Sequence, residues 1–399
     1  MGAQKNTNTQ IVVLPSWYPN RLDRFAGDFI QRHVRAISAL RFQYIIYVVK
    51  DEHATITKNV FTDTIETENY TEKIIYYHPA KTGIKILDKL LSQLKLNQLY
   101  FEALKEYVKS HGIPALMHVH VILNAGRIAL WAKRKWKIPY VVSEHWSVFL
   151  EEANYQVKDL PFLYQQSIKR ILKNAVALTT VSKRLGEAIS SKYQAPAYTI
   201  IPNVVDHSIF YPGNHMPGDT LQFIHASSMM MEKNVETIIR AFVILKEAHI
   251  NVVLQLYGPA PVALEQLTQK LGLKDRVIFW GSVDQPTLAK KMQESDALLL
   301  YSKFETFGCV LIEANATGIP VIVSELPVFH ELVTENLNGI FVEGNNCKAL
   351  ADTLIEFSKI RKRFDKNDIV RSTNKYSFTT VAKQFDQLYC QIIPGEMGS

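Results

Sequence analysis

Residues 296–325 read DALLLYSKFETFGCVLIEANATGIPVIVSE, and this stretch decides the fold. An apolar run, Ala297–Tyr301, breaks at Ser302 into a short polar loop carrying Glu305, Phe307 and Gly308. A helical pattern follows, carries Glu313 eight residues after Glu305, ends near Gly318 and leads into a second apolar strand at Ile319–Val323. Strand, loop, helix and strand in this order predict a parallel α/β layer, in which ligands sit at the loops that follow strands and face helix N-termini. Two carboxylates there, beside free backbone amides at residues 307–310, suit a ligand with hydroxyls at one end and phosphates at the other. That is the outline of a nucleotide sugar.

The same alternation runs through all 399 residues, enough for about two domains with separate cores. Strands are expected at 10–14, 42–49, 73–77, 115–120, 140–143 and 177–181, then at 222–226, 252–257, 277–281, 297–301 and 321–324. Helices are expected at 27–40, 84–108, 126–135, 160–173 and 184–193, then at 235–248, 262–271, 285–294 and 310–317, with a last one at 378–392 after a basic connector. The joint falls near 198–212, where Pro202-Asn203 ends a β-rich run and Pro212, Gly213, Pro217 and Gly218 punctuate a linker. The expectation is an α/β chain of two Rossmann-like doubly wound domains, 1–204 and 205–375, facing an interdomain cleft, with helix 376–394 packing back on the first.

Composition is that of a globular protein, 47% hydrophobic and 21% charged, with no apolar run of about 18 residues to span a membrane. The polar start MGAQKNTNTQ lacks an apolar signal region, which predicts a cytoplasmic chain. Three scattered cysteines lack metal-ligand spacing, so reduced, partly buried thiols are expected. Charge is unevenly divided: residues 1–205 hold 27 Lys+Arg against 16 Asp+Glu, and residues 206–399 hold 18 against 22. A basic first half is compatible with a phosphorylated acceptor or with peripheral contact at an anionic membrane surface. Absences narrow the function further. Without G-x-G a nicotinamide dehydrogenase is disfavoured; without a Walker sequence, an ATPase; without a nucleic-acid motif, a nucleic-acid binder. Without D-x-D the usual carboxylate grip on a metal–diphosphate is missing, so no metal and no further cofactor are expected.

Taken with its surroundings, the Glu305/Glu313 segment resembles the retaining glycosyltransferases of family 4 (glycosyltransferases group 1), which have the GT-B fold. The resemblance extends to Ile201-Pro202-Asn203 with Val205-Asp206 and Phe210, Lys233-Asn234, Tyr257-Gly258, Arg276–Gly281, Glu331 and Asn338-Gly339, covering most of residues 198–345. It implies a metal-independent, retaining transferase of hexosyl type, acting on a saccharide or lipid-linked acceptor in surface polysaccharide or lipopolysaccharide synthesis. On this basis Glu305 would contact hydroxyls of the donor sugar, Glu313 the ribose, and amides around Phe307, Gly308 and Cys309 the diphosphate. Lys233 would neutralise the leaving group, and backbone near Phe279 and Gly281 would meet the base. Ser228 stands where the family often has an Arg, which removes one cation from the diphosphate site; Lys303 and Arg24 are the candidates to replace it. The three methionines beside it read as a flexible, half-buried loop.

The first half matches more loosely. Gly27 would let backbone approach the diphosphate from across the cleft, while Trp17 and Tyr18 are candidates to stack on an acceptor sugar or to pack the loop. His145, in Ser143-Glu144-His145-Trp146, would lie beside the sugar; His120 reads as core or as support behind the site. The leucine-rich pattern at 84–99 reads first as a helix packed on the sheet, second as a helix touching anionic lipid. A nucleotide-sugar epimerase and a non-catalytic sugar-binding or scaffolding homologue remain as alternatives.

Overall fold

A computed structural model describes residues 10–214 and 218–393. Most of the polar start, residue Pro217 of the linker and the end of the expected 376–394 segment lie outside the described residues. The chain divides after Val204, and the first unit also takes in the last helix from Phe378.

The first unit runs β1 (Ile11–Pro15), α1 (Asp28–Ser38), β2 (Gln43–Lys50), β3 (Val60–Glu66), β4 (Tyr70–Tyr77), α2 (Lys85–His111), β5 (Leu116–His120), α3 (Leu123–Trp136), β6 (Tyr140–Glu144), α4 (Phe162–Asn174), β7 (Ala177–Thr180), α5 (Lys183–Ser190) and β8 (Tyr198–Ile200). Its sheet order is β3-β4-β2-β1-β5-β6-β7-β8, parallel except for the β3–β4 hairpin at one edge. β1, β5 and β6 are buried along their whole length, as expected of strands covered on both faces.

The second unit runs β9 (Leu221–Ala226), α6 (Val235–Glu247), β10 (Val252–Tyr257), α7 (Val262–Lys270), β11 (Val277–Gly281), α8 (Gln285–Gln293), β12 (Ala297–Leu300), α9 (Cys309–Ala316), β13 (Val321–Ser324), β14 (Gly339–Val342), α10 (Cys347–Ile360) and α11 (Lys366–Ser372). All of its strands are parallel, in the order β11-β10-β9-β12-β13-β14. This is the doubly wound arrangement, and the winding reverses between β9 and β12. Leu298 pairs with Ile224 across that reversal and with Val321 on the other side. The loops leaving β9 and β12 are therefore neighbours by construction. The last helix, α12 (Phe378–Ile392), places Val381, Phe385 and Tyr389 in the core of the first unit with β1, α1 and β2.

One expectation fails over part of its length. The 84–99 pattern was expected to pack on the sheet, but Ile84, Ile86, Leu87, Leu90, Leu91 and Leu94 are all exposed. α2 is buried from Ser92 onward, through Leu96, Tyr100, Leu104 and Tyr107, and the Tyr77 hydroxyl donates to the Ser92 carbonyl.

Candidate functional site

The loop after β9 ends in a short turn at Met231–Lys233, and Asn234, in a left-handed conformation, begins α6. The loop after β12 carries Glu305. These two loops meet: Lys233 Nζ donates to Glu305 Oε1 at 2.5 Å. Ser302 Oγ also donates to Oε1, at 3.0 Å, and Ser324 Oγ donates to the Ser302 carbonyl at 2.7 Å, tying the loop to the end of β13. Lys303 N donates to the Glu232 carbonyl at 2.7 Å, so backbone as well as charge joins the loops. Burial pulls the Lys233 pKa down, but the Glu305 carboxylate outweighs it and the pKa is raised; the ammonium stays charged. An ammonium has three donors, so the same lysine can hold Glu305 and an anion at once.

Gly308 caps the start of α9. Leu311 N closes the first turn onto the Gly308 carbonyl at 3.0 Å, and the aligned peptide dipoles make this N-terminus favourable for negative charge. Phe307 places its ring in the core against Tyr376, 5.9 Å between centroids, leaving its backbone to shape the turn. Cys309 is half-buried at the first position of the helix, and Glu313 is buried one turn further along it. Glu305, Lys233, Gly308 and Cys309 thus share the carboxyl end of the sheet at its winding reversal.

Ser228 is exposed on the β9 loop. The methionines beside it divide: Met229 is buried in the core, whereas Met230 and Met231 are exposed, so the uniformly half-buried loop expected there is not found. Across β10 and β11, Tyr257 and Trp280 stack at 6.4 Å and 9° between planes, and Gly258 N donates to the Gly281 carbonyl. Phe279 is half-buried on β11 and packs against the core of this unit.

The sequence reading passed over His225. It lies buried under the β9 loop, Nδ1 2.8 Å from the Leu299 carbonyl and Nε2 2.7 Å from Ser227 Oγ, whose oxygen also accepts from Met229 N. A carbonyl only accepts, so Nδ1 carries the proton and Nε2 takes one from the serine. Burial lowers the ring's pKa to about 4. Below the ordinary value of about 6.5 the unfolded chain takes up a proton that the folded one refuses, so this group costs stability as pH falls from about 6.5 towards 4. We expect urea midpoints to drop between pH 7.5 and 4.5, and a His225→Gln variant to lose part of that drop. An unchanged pH slope in the variant would rule this out.

In the first unit, Gly27 sits at φ 61° at the start of α1, and a Cβ there would lie 2.5 Å from the Trp17 carbonyl oxygen. Its glycine is required by chain packing, because the space beside it belongs to Trp17. Tyr18 is fully buried and its hydroxyl donates to Glu72 Oε1 at 2.6 Å, which removes it as a stacking surface for a sugar. Trp17 meets Trp146 edge-on at 6.1 Å. His145 is buried: its ring packs on Phe29 at 4.8 Å, with His33 and His120 5.5 and 5.6 Å away. The segment is fixed by Glu144, whose carboxylate accepts from the backbone N–H of Ile122, His145 and Trp146. Burial pushes that carboxyl up to about 7 against these three donors.

A cavity of about 430 Å³ lies at the opposite, amino end of β12 and β13, beside Asp296, Thr317 and Arg361. It is remote from the Lys233–Glu305 pair along the strands.

Comparison with known proteins bears on the fold and the family. Residues 212–371 match the family model for glycosyl transferases group 1, and residues 60–209 match that for glycosyltransferase family 4. The chain belongs to the GT-B glycosyltransferases. A glycosyltransferase of uncharacterised role from Methanocaldococcus jannaschii is 30% identical over 43% of this chain and 45% of its own length. The D-inositol 3-phosphate glycosyltransferase of Xylanimonas cellulosilytica is 26% identical over 62% of this chain and 64% of its own length. The chain thus aligns with less than two thirds of either relative. Among solved structures, the sucrose-phosphate synthase of Thermosynechococcus elongatus superposes with a TM-score of 0.77 at 19% identity, covering 96% of this chain and 99% of that one. Anabaena HepE, solved with UDP and glucose, superposes with a TM-score of 0.68 at 16% identity, covering 96% of this chain and all of that one. At these identities the superpositions speak for the GT-B fold. The matched family models are of glycosyltransferases and do not favour the epimerase or scaffold alternatives. Among the described residues, no helix is long and apolar enough to cross a membrane.

Proposed function

We propose that this GT-B chain transfers a sugar from a nucleoside-diphosphate donor to a hydroxyl of a saccharide or lipid-linked acceptor, with retention at the anomeric carbon. The observation that carries the reading is the Lys233–Glu305 pair at the winding reversal of the second unit, next to the start of α9. Glu305 accepts from sugar hydroxyls, Glu313 from the ribose, and Lys233 with the amides at Gly308 and Cys309 meets the diphosphate. Phe279 and Gly281 supply backbone to the base. Negative charge develops on the leaving diphosphate, which in a same-face transfer also takes the acceptor proton, so stabilising that charge lowers the barrier. The donor role rests on the second unit, and the acceptor role on the basic first unit.

A thermal-shift screen against UDP-, GDP- and ADP-sugars tests the donor assignment. Stabilisation by one nucleotide class is expected; stabilisation by none in folded protein would sink it. Proton coupling constants of the transferred sugar read retention directly, and activity undiminished by chelator is expected.

Surface assembly of polysaccharide or lipopolysaccharide is the setting that the exposed turns of α2 favour. Ile86, Leu90 and Leu94 are exposed there, as are Phe162 and Leu163 at the start of α4, which is tied to α2 by the Tyr164 hydroxyl donating to Gln93 Oε1 at 3.1 Å. Lys81, Lys85 and Lys89 flank the apolar face and are exposed, a combination that suits an anionic bilayer. We expect the protein to sediment with phosphatidylglycerol vesicles at low salt, and to lose this in an Ile86→Glu/Leu90→Glu double variant. Equal partition with neutral vesicles, or none with either, would contradict it.

A further inference from the structure

Of the seven non-glycine residues with positive φ among the described residues, Val121 alone is β-branched. It sits at φ 63° between β5 and α3 and is fully buried. A β-branched side chain rarely adopts that conformation, and such strain persists only where the surroundings over-determine it. Three hydrogen bonds do so here. The Val121 N–H donates to the Ser143 carbonyl at 2.9 Å, and its own carbonyl accepts from Ser16 Oγ at 2.7 Å. The N–H of the next residue, Ile122, donates to Glu144 Oε2 at 3.1 Å. Ser16, Val121 and Glu144 thereby join the carboxyl ends of β1, β5 and β6, and the sheet of the first unit reverses its winding between β1 and β5. In doubly wound sheets that is where ligands are received.

Glu144 carries most of this joint. Its Oε1 accepts from the N–H groups of His145 and Trp146, both at 2.9 Å. One carboxylate therefore sets both the path by which the chain leaves β6 and the start of α3. The residue is fully buried, and the partners that hold its ionised form are these backbone N–H groups, not a cation. Burying a carboxylate in this way is costly. Yet no neutral side chain offers two acceptor oxygens, which three N–H groups on two loops call for. The segment it directs reaches the surface: Trp146 and Ser147 are half-buried, and Trp146 meets the half-buried Trp17 edge-on.

We propose that Glu144 is a positioning residue for the sugar transfer, holding the His145–Trp146 segment and the first turn of α3 as one rigid wall on the acceptor side. The inference rests on the transferase reading above. Glu144 itself is given no contact with substrate. Fixed backbone keeps an acceptor hydroxyl in its reacting position, and a wall displaced by about 1 Å lets water compete for the donor.

Glu144→Gln tests this on the full chain. It keeps the shape and can leave Oε1 on His145 and Trp146, but it turns an NH2 group onto the Ile122 N–H, donor against donor. Hydrogen exchange read by mass spectrometry should quicken by roughly 10-fold in peptides covering 120–126, with peptides of the second unit unchanged. Transfer is followed with whichever of radiolabelled UDP-, GDP- and ADP-glucose stabilises the wild type most, with a detergent extract of the source cells as acceptor. The ratio of label transferred to label hydrolysed should fall roughly 10–100-fold, at an unchanged KM for the donor. That ratio does not depend on the fraction of protein folded, so a merely structural role would not move it. Ser16→Ala, which frees the Val121 carbonyl, should shift the ratio the same way and carries the test should Glu144→Gln fail to fold. Exposed Glu68→Gln should not shift it. An unchanged ratio in Glu144→Gln overturns the proposal and leaves the transferase reading intact; unchanged exchange overturns it too. A wild type that transfers no label removes the transferase reading, and this inference falls with it.

Discussion

Glu305→Gln is expected to lower sugar transfer by roughly 10²–10³-fold with the fold intact. The substitution keeps the shape of the side chain and its bond from Ser302, but removes the charge that faces Lys233 at 2.5 Å. A neutral amide accepts weaker hydrogen bonds from sugar hydroxyls than a carboxylate does. It also leaves Lys233 without its countercharge, so the ammonium no longer has a fixed position from which to meet a diphosphate. Lys233→Met removes the other half of the pair and should cost a similar factor. Because the two act as one unit, the double variant should be little worse than either single one. Initial rates at saturating donor, with donor-dependent thermal shift alongside, check all three. A Glu305→Gln enzyme within about threefold of wild type would remove the pair from the mechanism, since losing a transition-state contact normally costs far more.

Gly258→Ala is expected to destabilise the second unit by at least about 3 kcal/mol. The residue sits at φ 133°, which other residues rarely adopt, and an added Cβ would lie 1.9 Å from the Ser227 carbonyl oxygen. That oxygen is backbone and cannot swing aside as a flexible side chain would. Ser227 is also fixed by its own bonds, its N–H to the Tyr257 carbonyl and its hydroxyl to His225 and Met229. To make room, the loop leading to Lys233 must move. The variant should therefore show a lower urea midpoint and, under conditions where it remains folded, weaker stabilisation by nucleotide sugar. Wild-type stability in Gly258→Ala would mean that the close approach of these two loops is wrong.

Much of the architecture was legible in the sequence because most buried strands are short apolar runs, and the elements around 252–257, 277–281, 321–324 and 378–392 begin and end as expected. Of the three strands that escaped notice, β3 and β8 lack that signature, whereas β14 carries it, a short buried apolar run, and was passed over. β3 is an edge strand with no buried face, and β8 is three residues long with its last two exposed. α10 and α11 were passed over as a basic connector although their signals were present. Asn346 and Asp365 cap them by accepting from backbone amides one turn on, and Leu350, Leu354 and Phe357 recur at helical spacing. In the candidate site, the glutamate and lysine stood out by position after strands, but their contact depends on strand order, which no spacing reveals. His33 escaped because it lies on a helix more than eighty residues from the other two histidines of its cluster. The misreading of α2 is of another kind: leucine spacing shows which side of a helix is greasy, and is silent on how far a sheet extends beneath it.

The capture of α12 by the first unit has a consequence for how the chain is made. Phe385 and Tyr389 fill the core beside α1, and the Tyr389 hydroxyl lies 2.6 Å from His118 Nδ1. Ribosomes deliver β1 first and α12 last, with the whole second unit between them. The part synthesised first must therefore wait, its hydrophobic interior unfinished, while the later part has every strand it needs to fold on its own. Nascent chains arrested before Phe378 should resist protease over 218–375 while residues 10–204 are still cut.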